Sequence, residues 1–259
     1  MRNRLKETLD KGKVAVTAQL RFGSPGIAEL FGLAGFDGII IDSEHAPQTP
    51  VTVQAQLQGV GCTEATPIVR LKNNDPDLIK LYLDMGALGV LVPFINTPEE
   101  AELGAKACRY PPTGTRGWGP HRAGDYGLNS QSYTDEINDQ VMYIPIIESA
   151  QAVDNIDAIL EVEGVDSFIL GPVDLSISLG VPFDYENSVF KDAIARTLDA
   201  SRRVGKPAGG GVTGPISDPA SISVLVEAGF RLILAGGDEP FIAESCRLVL
   251  DNFSSIKVP

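Results

Sequence analysis

Short runs of aliphatic residues alternate along this chain with longer segments whose apolar positions recur every three or four residues. The aliphatic runs predict eight strands, over Val14–Leu20, Gly38–Asp42, Pro67–Leu71, Gly89–Phe94, Met142–Ile147, Ser167–Leu170, Pro207–Gly211 and Leu232–Ala235. The segments between and after them predict eight helices, over Pro25–Ala34, Pro50–Val60, Pro76–Met85, Pro98–Cys108, Ala150–Leu160, Ser188–Val204, Pro219–Ala228 and Glu239–Asn252. Several of these helices begin with a proline after Ser, Thr or Asp, and many end at a glycine, as is typical of helix boundaries.

Regular alternation of strand and helix predicts a parallel sheet, because each crossover helix returns the chain to the same end of the sheet. Eight strand–helix pairs in 259 residues predict a (β/α)8 barrel, and we expect residues 1–259 to form one domain. The amphipathic start, Met1–Glu7, predicts an additional helix and lacks the apolar core of a signal peptide. A doubly wound sheet is the alternative, but its dinucleotide fingerprint is missing after the first strand.

Composition and charge narrow the kinds of partner. The formal net charge of −13 argues against nucleic acid and anionic membranes, so an anionic substrate needs a local cationic feature. No apolar run approaches the ~18 residues of a membrane span. The three cysteines, Cys62, Cys108 and Cys246, have neither metal-like nor disulfide-like spacing. We therefore expect a cytoplasmic protein that acts on small molecules.

The segment from Tyr110 to Gln140 breaks the alternation and is too long for an ordinary connection. It contains Trp118 and His121, and it follows the fourth predicted helix. It therefore begins at the end of the barrel opposite the carboxyl ends of the strands. Because long ordered loops tend to be functional, we expect it to form an oligomer interface or to reach a neighbouring active site.

Ionisable side chains collect where the predicted strands end, which is where barrel enzymes carry their active sites. The apolar strand Gly38–Asp42 leads directly into Glu44 and His45. His45 is a candidate general base, since imidazole titrates near neutrality, and the alternative is a structural histidine. Arg70 is a candidate for binding a carboxylate or an enolate oxygen, and the alternative is an ion pair with Asp42 or Glu44.

Two further carboxylates follow neighbouring strands. Glu148 ends the predicted fifth strand, and Asp174 follows the sixth. Adjacent strands lie ~4.8 Å apart, so the two side chains can share a hard divalent cation whose shell water completes. The alternative is that Asp174 caps a helix and that Glu148 pairs with an arginine. Asp84 lies near the end of an otherwise apolar helix, where it either orients a histidine or is simply exposed.

Glycines follow the last two predicted strands, at Gly209–Gly211 and Gly236–Gly237. Many barrels bind phosphate at these places through backbone amides. The sequence favours the alternative, in which the glycines permit tight turns or a close approach of the backbone.

Six short motifs occur along the chain, namely Asp42–Pro47, Pro67–Arg70, Asn74–Pro76, Tyr110–Gly117, Ile147–Glu148 and Gly171–Ser176. In their order and spacing they strongly resemble the HpcH/HpaI aldolase family of class II pyruvate aldolases, over nearly the whole chain. That family includes 4-hydroxy-2-oxoheptanedioate aldolase and 2-dehydro-3-deoxyglucarate aldolase. The resemblance implies a TIM barrel whose C-terminal helix is exchanged between subunits, in a homohexamer built as a trimer of dimers.

The resemblance also implies a metal site and a carboxylate site. It makes Glu148 and Asp174 the ligands of a divalent metal ion, for which Mg²⁺, Mn²⁺ and Co²⁺ are the candidates. Backbone amides around Val173 and Asp174, directly after Gly171, would hold the carboxylate of a 2-oxoacid.

Within the same resemblance, His45 is the base, assisted by Asp84, and Arg70 holds the keto oxygen. No lysine lies at a matching strand end for Schiff-base catalysis, so a metal ion has to serve as the electron sink. In the cleavage direction the base removes the C4 hydroxyl proton, and scission of the C3–C4 bond releases an aldehyde and the enolate of pyruvate.

Two departures from the family pattern concern the substrate pocket. Many members carry glutamine two residues before the metal-binding glutamate, whereas this chain has Ile146, which makes the surroundings of the metal less polar. The loop Gly117–Arg122 is bulkier and more basic than the small-residue version of the heptanedioate aldolases. We expect Trp118 and Arg122 to shape the aldehyde pocket across a subunit interface, with Arg122 meeting an anionic acceptor.

The sequence therefore predicts a metal-dependent aldolase that forms or cleaves 4-hydroxy-2-oxoacids, with a pyruvate or hydroxypyruvate enolate as nucleophile and an aldehyde as acceptor. One alternative is a lyase or decarboxylase acting on a coenzyme A ester or on oxaloacetate, although the chain lacks an evident basic patch for coenzyme A. Another is a non-catalytic binding barrel, in which Ile146 would mark the loss of the site.

Overall fold

Eight parallel strands close into a barrel in the computed structural model, which describes residues 2–212, 218–254 and 256. The strands are β1 Ala15–Leu20, β2 Gly38–Asp42, β3 Thr66–Arg70, β4 Gly89–Val92, β5 Met142–Ile147, β6 Phe168–Leu170, β7 Ala208–Gly211 and β8 Leu232–Gly237. Each strand pairs with its neighbours in sequence, and β1 pairs with β8. The predicted (β/α)8 barrel is confirmed, and every predicted strand is present with its ends moved by no more than two residues.

Helices surround this barrel. They are α1 Arg4–Asp10, α2 Pro25–Ala34, α3 Pro50–Val60, α4 Pro76–Asp84, α5 Pro98–Ala107, α6 Ser130–Gln140, α7 Ala150–Asp154, α8 Ile156–Glu161, α9 Pro172–Ser178, α10 Ser188–Val204, α11 Pro219–Ala228 and α12 Asp238–Ser254. The predicted helix Ala150–Leu160 is divided at Asn155 into α7 and α8. The structure also contains α6, for which the periodicity gives no prediction. None of the described helices is long and apolar enough to cross a membrane.

Capping explains why the proline-led helices start where predicted. In each case the residue before the proline accepts a hydrogen bond from a backbone N–H of the first turn, which satisfies a group that the helix itself leaves unpaired. These capping residues are Ser24, Thr49, Asp75, Thr97 and Asp218. Short connections thus join the strands to the capped helices. The side chains at the carboxyl ends of the strands are available for a functional site.

Apolar side chains pack in two layers, one between strands and helices and one inside the barrel. The inner layer is built mainly from Ala15, Ile40, Ile68, Leu91, Met142, Ile144, Ile146, Ile169 and Leu232. Leu5 and Leu9 of α1 join this inner layer. Since the N–H of Leu5 also bonds to Thr66 at the start of β3, α1 covers the end where the strands begin. We call this the closed end, and the opposite end the mouth.

The last helix, α12, leaves the barrel after its first turns. Phe241 packs against Phe31 and Phe36 of the α2 region, with ring centroids 5.5 and 6.2 Å apart. Farther along, the apolar side chains of Leu248, Val249, Leu250 and Phe253 are exposed. An apolar helix face of this kind is normally covered by another surface.

Candidate active site

Polar side chains replace the aliphatic layer at the mouth of the barrel. Alternate residues of each strand face the interior, so a polar residue placed two positions after an inner aliphatic one lies at the mouth. By this rule the mouth carries Gln19 on β1, Asp42 on β2, Arg70 on β3 and Glu148 directly after β5. Asp42 and Arg70 are also register partners. The strand ends singled out in the sequence therefore meet in one polar layer.

Asp42 is fully buried and organises the turn that follows β2. Its Oδ1 accepts hydrogen bonds from the backbone N–H groups of Glu44 and His45, at 2.9 and 3.0 Å. Its Oδ2 accepts from the side-chain amide of Gln19 and from Nε of Arg21. Burial acts to raise the pKa of Asp42, but these hydrogen bonds and a neighbouring arginine charge hold that pKa below its ordinary value. An ionised Asp42 thus fixes the turn that presents His45.

Arg70, Glu44 and His45 form a cluster beside this turn. Arg70 Nε lies 2.6 Å from Glu44 Oε2, but the N–H is not aimed at that oxygen, so the contact is an ion pair without a regular hydrogen bond. His45 Nε2 lies 3.3 Å from Arg70 Nη2 and 3.5 Å from Glu44 Oε2. The His45 side chain is 52% exposed. Arg70 therefore forms the ion pair that the sequence offered as an alternative, and it also borders an accessible histidine.

Glu148 is a buried carboxylate with one oxygen left free. Its Oε1 accepts a 2.8 Å hydrogen bond from the backbone N–H of Phe94, a residue with a φ of 52°. Among the described residues no hydrogen bond reaches Oε2, and a Cβ at Gly171 would lie only 2.7 Å from it, so glycine keeps space open there. Burial raises the pKa of Glu148 to about 7, the Phe94 hydrogen bond opposes this rise, and the charge of Asp174 adds to it. Below Glu148 the inner layer is apolar, since Ile146 lies there.

Asp174 lies in the first turn of α9 and is half-buried. The charge of Asp174 raises the pKa of Glu148, so the two predicted ligands interact electrostatically. Asp174 does not cap α9, whose N-cap residue Gly171 makes no side-chain hydrogen bond, and the first N–H groups of a helix have no partner inside it. In the described part of the chain no three His, Cys, Asp or Glu side chains are grouped to hold a metal ion. A cation here would be held by two carboxylates and by water or substrate.

Asp84 lies at the other end of the barrel. It is the last residue of α4, which runs from the mouth end of β3 to the closed end of β4. Its Oδ1 accepts a 2.6 Å hydrogen bond from Nη2 of Arg116, whose side chain is fully buried. The Arg116 guanidinium also stacks on the ring of Tyr110 and donates to the hydroxyl of Tyr133. The expected assistance of His45 by Asp84 is therefore not formed within one chain.

Trp118 and Arg122 also lie near the closed end. Trp118 is 65% exposed, and its indole N–H donates to Thr134. Arg122 Nη1 donates to the carbonyl of Met85 directly after α4, and its guanidinium lies against Gly61 directly after α3. Cations stabilise the C-terminal ends of helices, so Arg122 ties two of them together. Neither side chain reaches the mouth of its own chain.

Two of the glycines singled out in the sequence, Gly209 within β7 and Gly237 at the end of β8, serve close packing. A Cβ at Gly209 would lie 2.6 Å from the carbonyl oxygen of Phe168, and one at Gly237 would lie 2.4 Å from the carbonyl oxygen of Gln19. Neighbouring backbones approach here to distances that no side chain permits, as the sequence favours.

Gln19, Arg21 and Asp238 are residues of the mouth that the sequence pattern does not single out. Asp238 is buried, and its carboxylate accepts the backbone N–H groups of Arg21 and Phe22. The sequence signal that could have found them lies in β1. Gln19 is a polar residue within this strand, and Arg21 directly follows it, much as Arg70 closes β3.

Comparisons with known proteins were made for the whole chain. Residues 21–236 match the family model described as HpcH/HpaI aldolase/citrate lyase. The chain is 36% identical over 255 residues to the 4-hydroxy-2-oxovalerate aldolase of Rhodococcus jostii (strain RHA1), which covers 98% of this chain and 97% of that protein. It is 34% identical over 252 residues to the 5-keto-4-deoxy-D-glucarate aldolase of Escherichia coli (strain K12), with 97% and 96% covered. A crystal structure of an HpcH/HpaI aldolase/citrate lyase family protein from Burkholderia cenocepacia J2315 superimposes with a TM-score of 0.91 at 33% identity, covering 98% and 100%.

Proposed function

The chain belongs to the HpcH/HpaI aldolase/citrate lyase family and is a carbon–carbon lyase, and we propose that it forms and cleaves 4-hydroxy-2-oxoacids with a divalent metal ion. The nucleophile is the enolate of pyruvate or hydroxypyruvate, and the acceptor is an aldehyde. The observation that carries this proposal is the buried carboxylate of Glu148, whose Oε2 accepts no hydrogen bond from the described residues and borders the space that Gly171 keeps open. The name of one relative, 4-hydroxy-2-oxovalerate aldolase, supports the substrate class.

The residues present fit Mg²⁺, Mn²⁺ or Co²⁺. Glu148 and Asp174 offer hard oxygen ligands, which such cations accept in octahedral shells. Burial and the neighbouring carboxylate raise the pKa of Glu148, and positive charge between the two groups would favour its ionised form. When bound, the cation would supply the charge that acidifies a 2-oxoacid and stabilises its enolate. A shell with only two protein ligands leaves room for the substrate.

The side chains of the mouth divide the remaining work. Arg70 holds the keto oxygen and stabilises the negative charge that develops on it. His45 accepts the C4 hydroxyl proton, the electron pair of the broken O–H bond forms the aldehyde carbonyl, and the C3–C4 bonding pair passes to the enolate. Protonation of C3 then yields the 2-oxoacid. Backbone N–H groups of Val173 and Asp174, at the start of α9 and next to Gly171, hold its carboxylate.

Asp84 enters this scheme through a second copy of the chain. We assign Asp84 to the assistance of His45 in a neighbouring subunit, because it lies at the closed end beside Gly119, the residue that follows the exposed Trp118. The exposed apolar face of α12 is a second surface for another copy to cover. A homohexamer built as a trimer of dimers, with its last helices exchanged, is the assembly that the family resemblance implies. Trp118 would then line the aldehyde pocket of the neighbour.

Mixing two inactive variants tests the shared site. His45→Ala and Asp84→Asn each remove one member of the pair, and we expect each variant alone to be nearly inactive. When they are co-expressed, some sites combine an intact His45 of one chain with an intact Asp84 of another, and activity returns. Activity that stays absent in assembled mixtures would place both residues in roles within one subunit.

Exchange of the pyruvate methyl protons for deuterium tests the function itself. We expect exchange with Mg²⁺ or Mn²⁺, loss of exchange in EDTA, and a strong decrease in His45→Ala. Glu163→Gln, an exposed change between α8 and β6, is the matched control. A pure binding protein would show no exchange under any condition. A coenzyme A ester lyase would show little without its thioester.

A further inference from the structure

A cavity of about 190 Å³ opens at the mouth on the side of β7, β8 and β1, away from the two carboxylates that follow β5 and β6. Its lining includes Gln19, Arg21, Gly211, Leu234, Glu239 and Pro240. Gly211 and Leu234 are register partners, and Leu234 packs with the inner layer, so Gly211 also faces the barrel interior. Among the residues that the structure describes, a Cβ at Gly211 would meet nothing within 4 Å. Glycine therefore leaves this side of the mouth open.

The ionisable side chains that line this cavity, Arg21, Asp238 and Glu239, carry a net charge of −1. Arg21 Nη1 lies 3.1 Å from Glu239 Oε2, and Arg21 Nε donates to Asp42. The side chains of Arg21 and Glu239 are 38% and 45% exposed, so a ligand can reach both. The buried carboxylate of Asp238 already accepts three backbone N–H groups. One guanidinium, one carboxylate and the carbonyl oxygen of Gln19 remain for a ligand, because the Gln19 amide nitrogen donates to Asp42.

We infer that this cavity is the acceptor pocket and that it selects small, uncharged, hydroxylated aldehydes. The inference rests on the proposed function, in which the 2-oxoacid is held near β5 and β6 and His45 acts on the acceptor oxygen. His45 follows β2, and β1 and β8 are the next strands around the barrel, each ~4.8 Å farther on. Asp42 accepts hydrogen bonds from both the His45 turn and Arg21, which places the cavity directly beside the base.

Hydrogen bonding explains the preference for hydroxyl groups. A hydroxyl can accept from the Arg21 guanidinium and donate to the Glu239 carboxylate, so it replaces the water that it displaces. An alkyl group of the same size would displace that water without replacing its hydrogen bonds to the two charged groups, and such sites discriminate against the analogue that lacks the hydroxyl. A carboxylate on the acceptor would meet like charge at Glu239 and at Asp42.

Three aldehydes of nearly equal size test the inference, with pyruvate as the nucleophile. Glycolaldehyde carries a hydroxyl, propanal a methyl and glyoxylate a carboxylate. We expect kcat/KM of the wild type to be at least tenfold higher for glycolaldehyde than for propanal. Gly211→Val fills the cavity without altering a charge, and Glu239→Gln removes the negative charge of the ion pair with Arg21. Both variants should lower the glycolaldehyde-to-propanal ratio at least fivefold, whereas Glu163→Gln should not. Glu239→Gln should also raise kcat/KM for glyoxylate relative to kcat/KM for glycolaldehyde.

Pyruvate methyl exchange is measured in the same samples without aldehyde. It distinguishes a failure of the proposed function from a failure of the acceptor pocket. A wild-type enzyme without exchange would refute the proposed function. Exchange in the wild type together with unchanged acceptor ratios in both Gly211→Val and Glu239→Gln would refute the acceptor pocket alone. Circular dichroism and the assembly size identify a variant that fails to fold. The glycolaldehyde-to-propanal ratio of the other variant then tests the acceptor pocket.

Discussion

Each end of the barrel carries a cluster of buried charged side chains, and the two clusters differ in the hydrogen-bond partners that they lack. At the mouth, no donor among the described residues reaches Glu148 Oε2. At the closed end, Arg116 is fully buried, and within the described ranges its Nε and Nη1 have no acceptor and the hydroxyl of Tyr110 has no partner. Glu148 therefore lacks a donor or a cation, although Arg21 and Arg70 lie at the same end, whereas the Arg116 cluster lacks acceptors.

The unsatisfied polar groups at each end indicate which partner that end accommodates. A buried polar group is costly unless it is satisfied, so a shortage marks the place of a missing partner. The mouth is accessible beside the half-exposed His45, which suits a cation and a substrate. At the closed end the Arg116 guanidinium lies 4.6 and 5.8 Å from the rings of Tyr110 and Tyr133, which suits a rigid support for Asp84.

The largest expected effect is at the mouth, in Glu148→Gln. Removing this charge takes away one of the two proposed metal ligands, so we expect pyruvate methyl exchange to fall by roughly 10³-fold or more. Titration with Mn²⁺ should show a matching loss of affinity. Glu163→Gln should retain both properties. Full exchange in Glu148→Gln would show that the cation, or the chemistry, lies elsewhere.

The next effect concerns the closed end, in Arg116→Met. Asp84 would lose its charged partner while remaining partly buried, and breaking such a pair destabilises a protein by roughly 3 kcal/mol or more. The free energy of unfolding in urea, at one fixed protein concentration, measures this. Arg203→Met breaks an exposed pair with Asp157 and should cost less than about 1 kcal/mol. Equal losses in the two variants would mean that the buried cluster is not the more demanding one.

The pH dependence of the metal-free protein sharpens the comparison. The pKa of Glu148 rises from 4.5 to about 7 in the fold, so the protonated form is the one that the fold favours. Stability linked to Glu148 is complete below pH 4.5 and is lost as the pH rises through 7. The loss is on the order of 3 kcal/mol. Unfolding in EDTA at pH 5 and pH 8 should show this loss in the wild type and not in Glu148→Gln. Parallel behaviour of the two proteins would contradict the assignment.

The smallest expected effect is that of Arg122→Ala at the closed end. Its guanidinium holds the C-terminal ends of two helices, so we expect a loss of about 1 kcal/mol in the free energy of unfolding. If Arg122 instead meets an anionic acceptor, kcat/KM for glyoxylate should fall severalfold while kcat/KM for glycolaldehyde does not. Unchanged selectivity would leave Arg122 with the structural role alone.

The sequence predicts the mouth well and the closed end poorly, for a physical reason. The mouth residues follow aliphatic strands, and in a closed parallel barrel all strand ends meet, so the strand pattern alone brings Arg70 and Glu148 into one layer. The pair of Asp84 and Arg116 joins residues from a helix end and an irregular loop. No periodicity encodes such a contact, and its two residues looked independent.

The same reasoning applies to the helices that the pattern missed. In α6 only Tyr133 and Ile137 are buried, so the apolar stripe is one pair of residues long and does not stand out from a polar loop. The break at Asn155 between α7 and α8 leaves the apolar spacing intact on both sides. Sequence reasoning therefore recovers elements that bury a broad face and loses those held by few contacts.

Helix α1, which covers the closed end of the barrel, determines where substrates enter and products leave. Leu5 and Leu9 fill that end of the described barrel, so the proposed 2-oxoacid and acceptor sites both open at the mouth. The two sites would lie side by side around the rim, so both cleavage products would leave in the same direction.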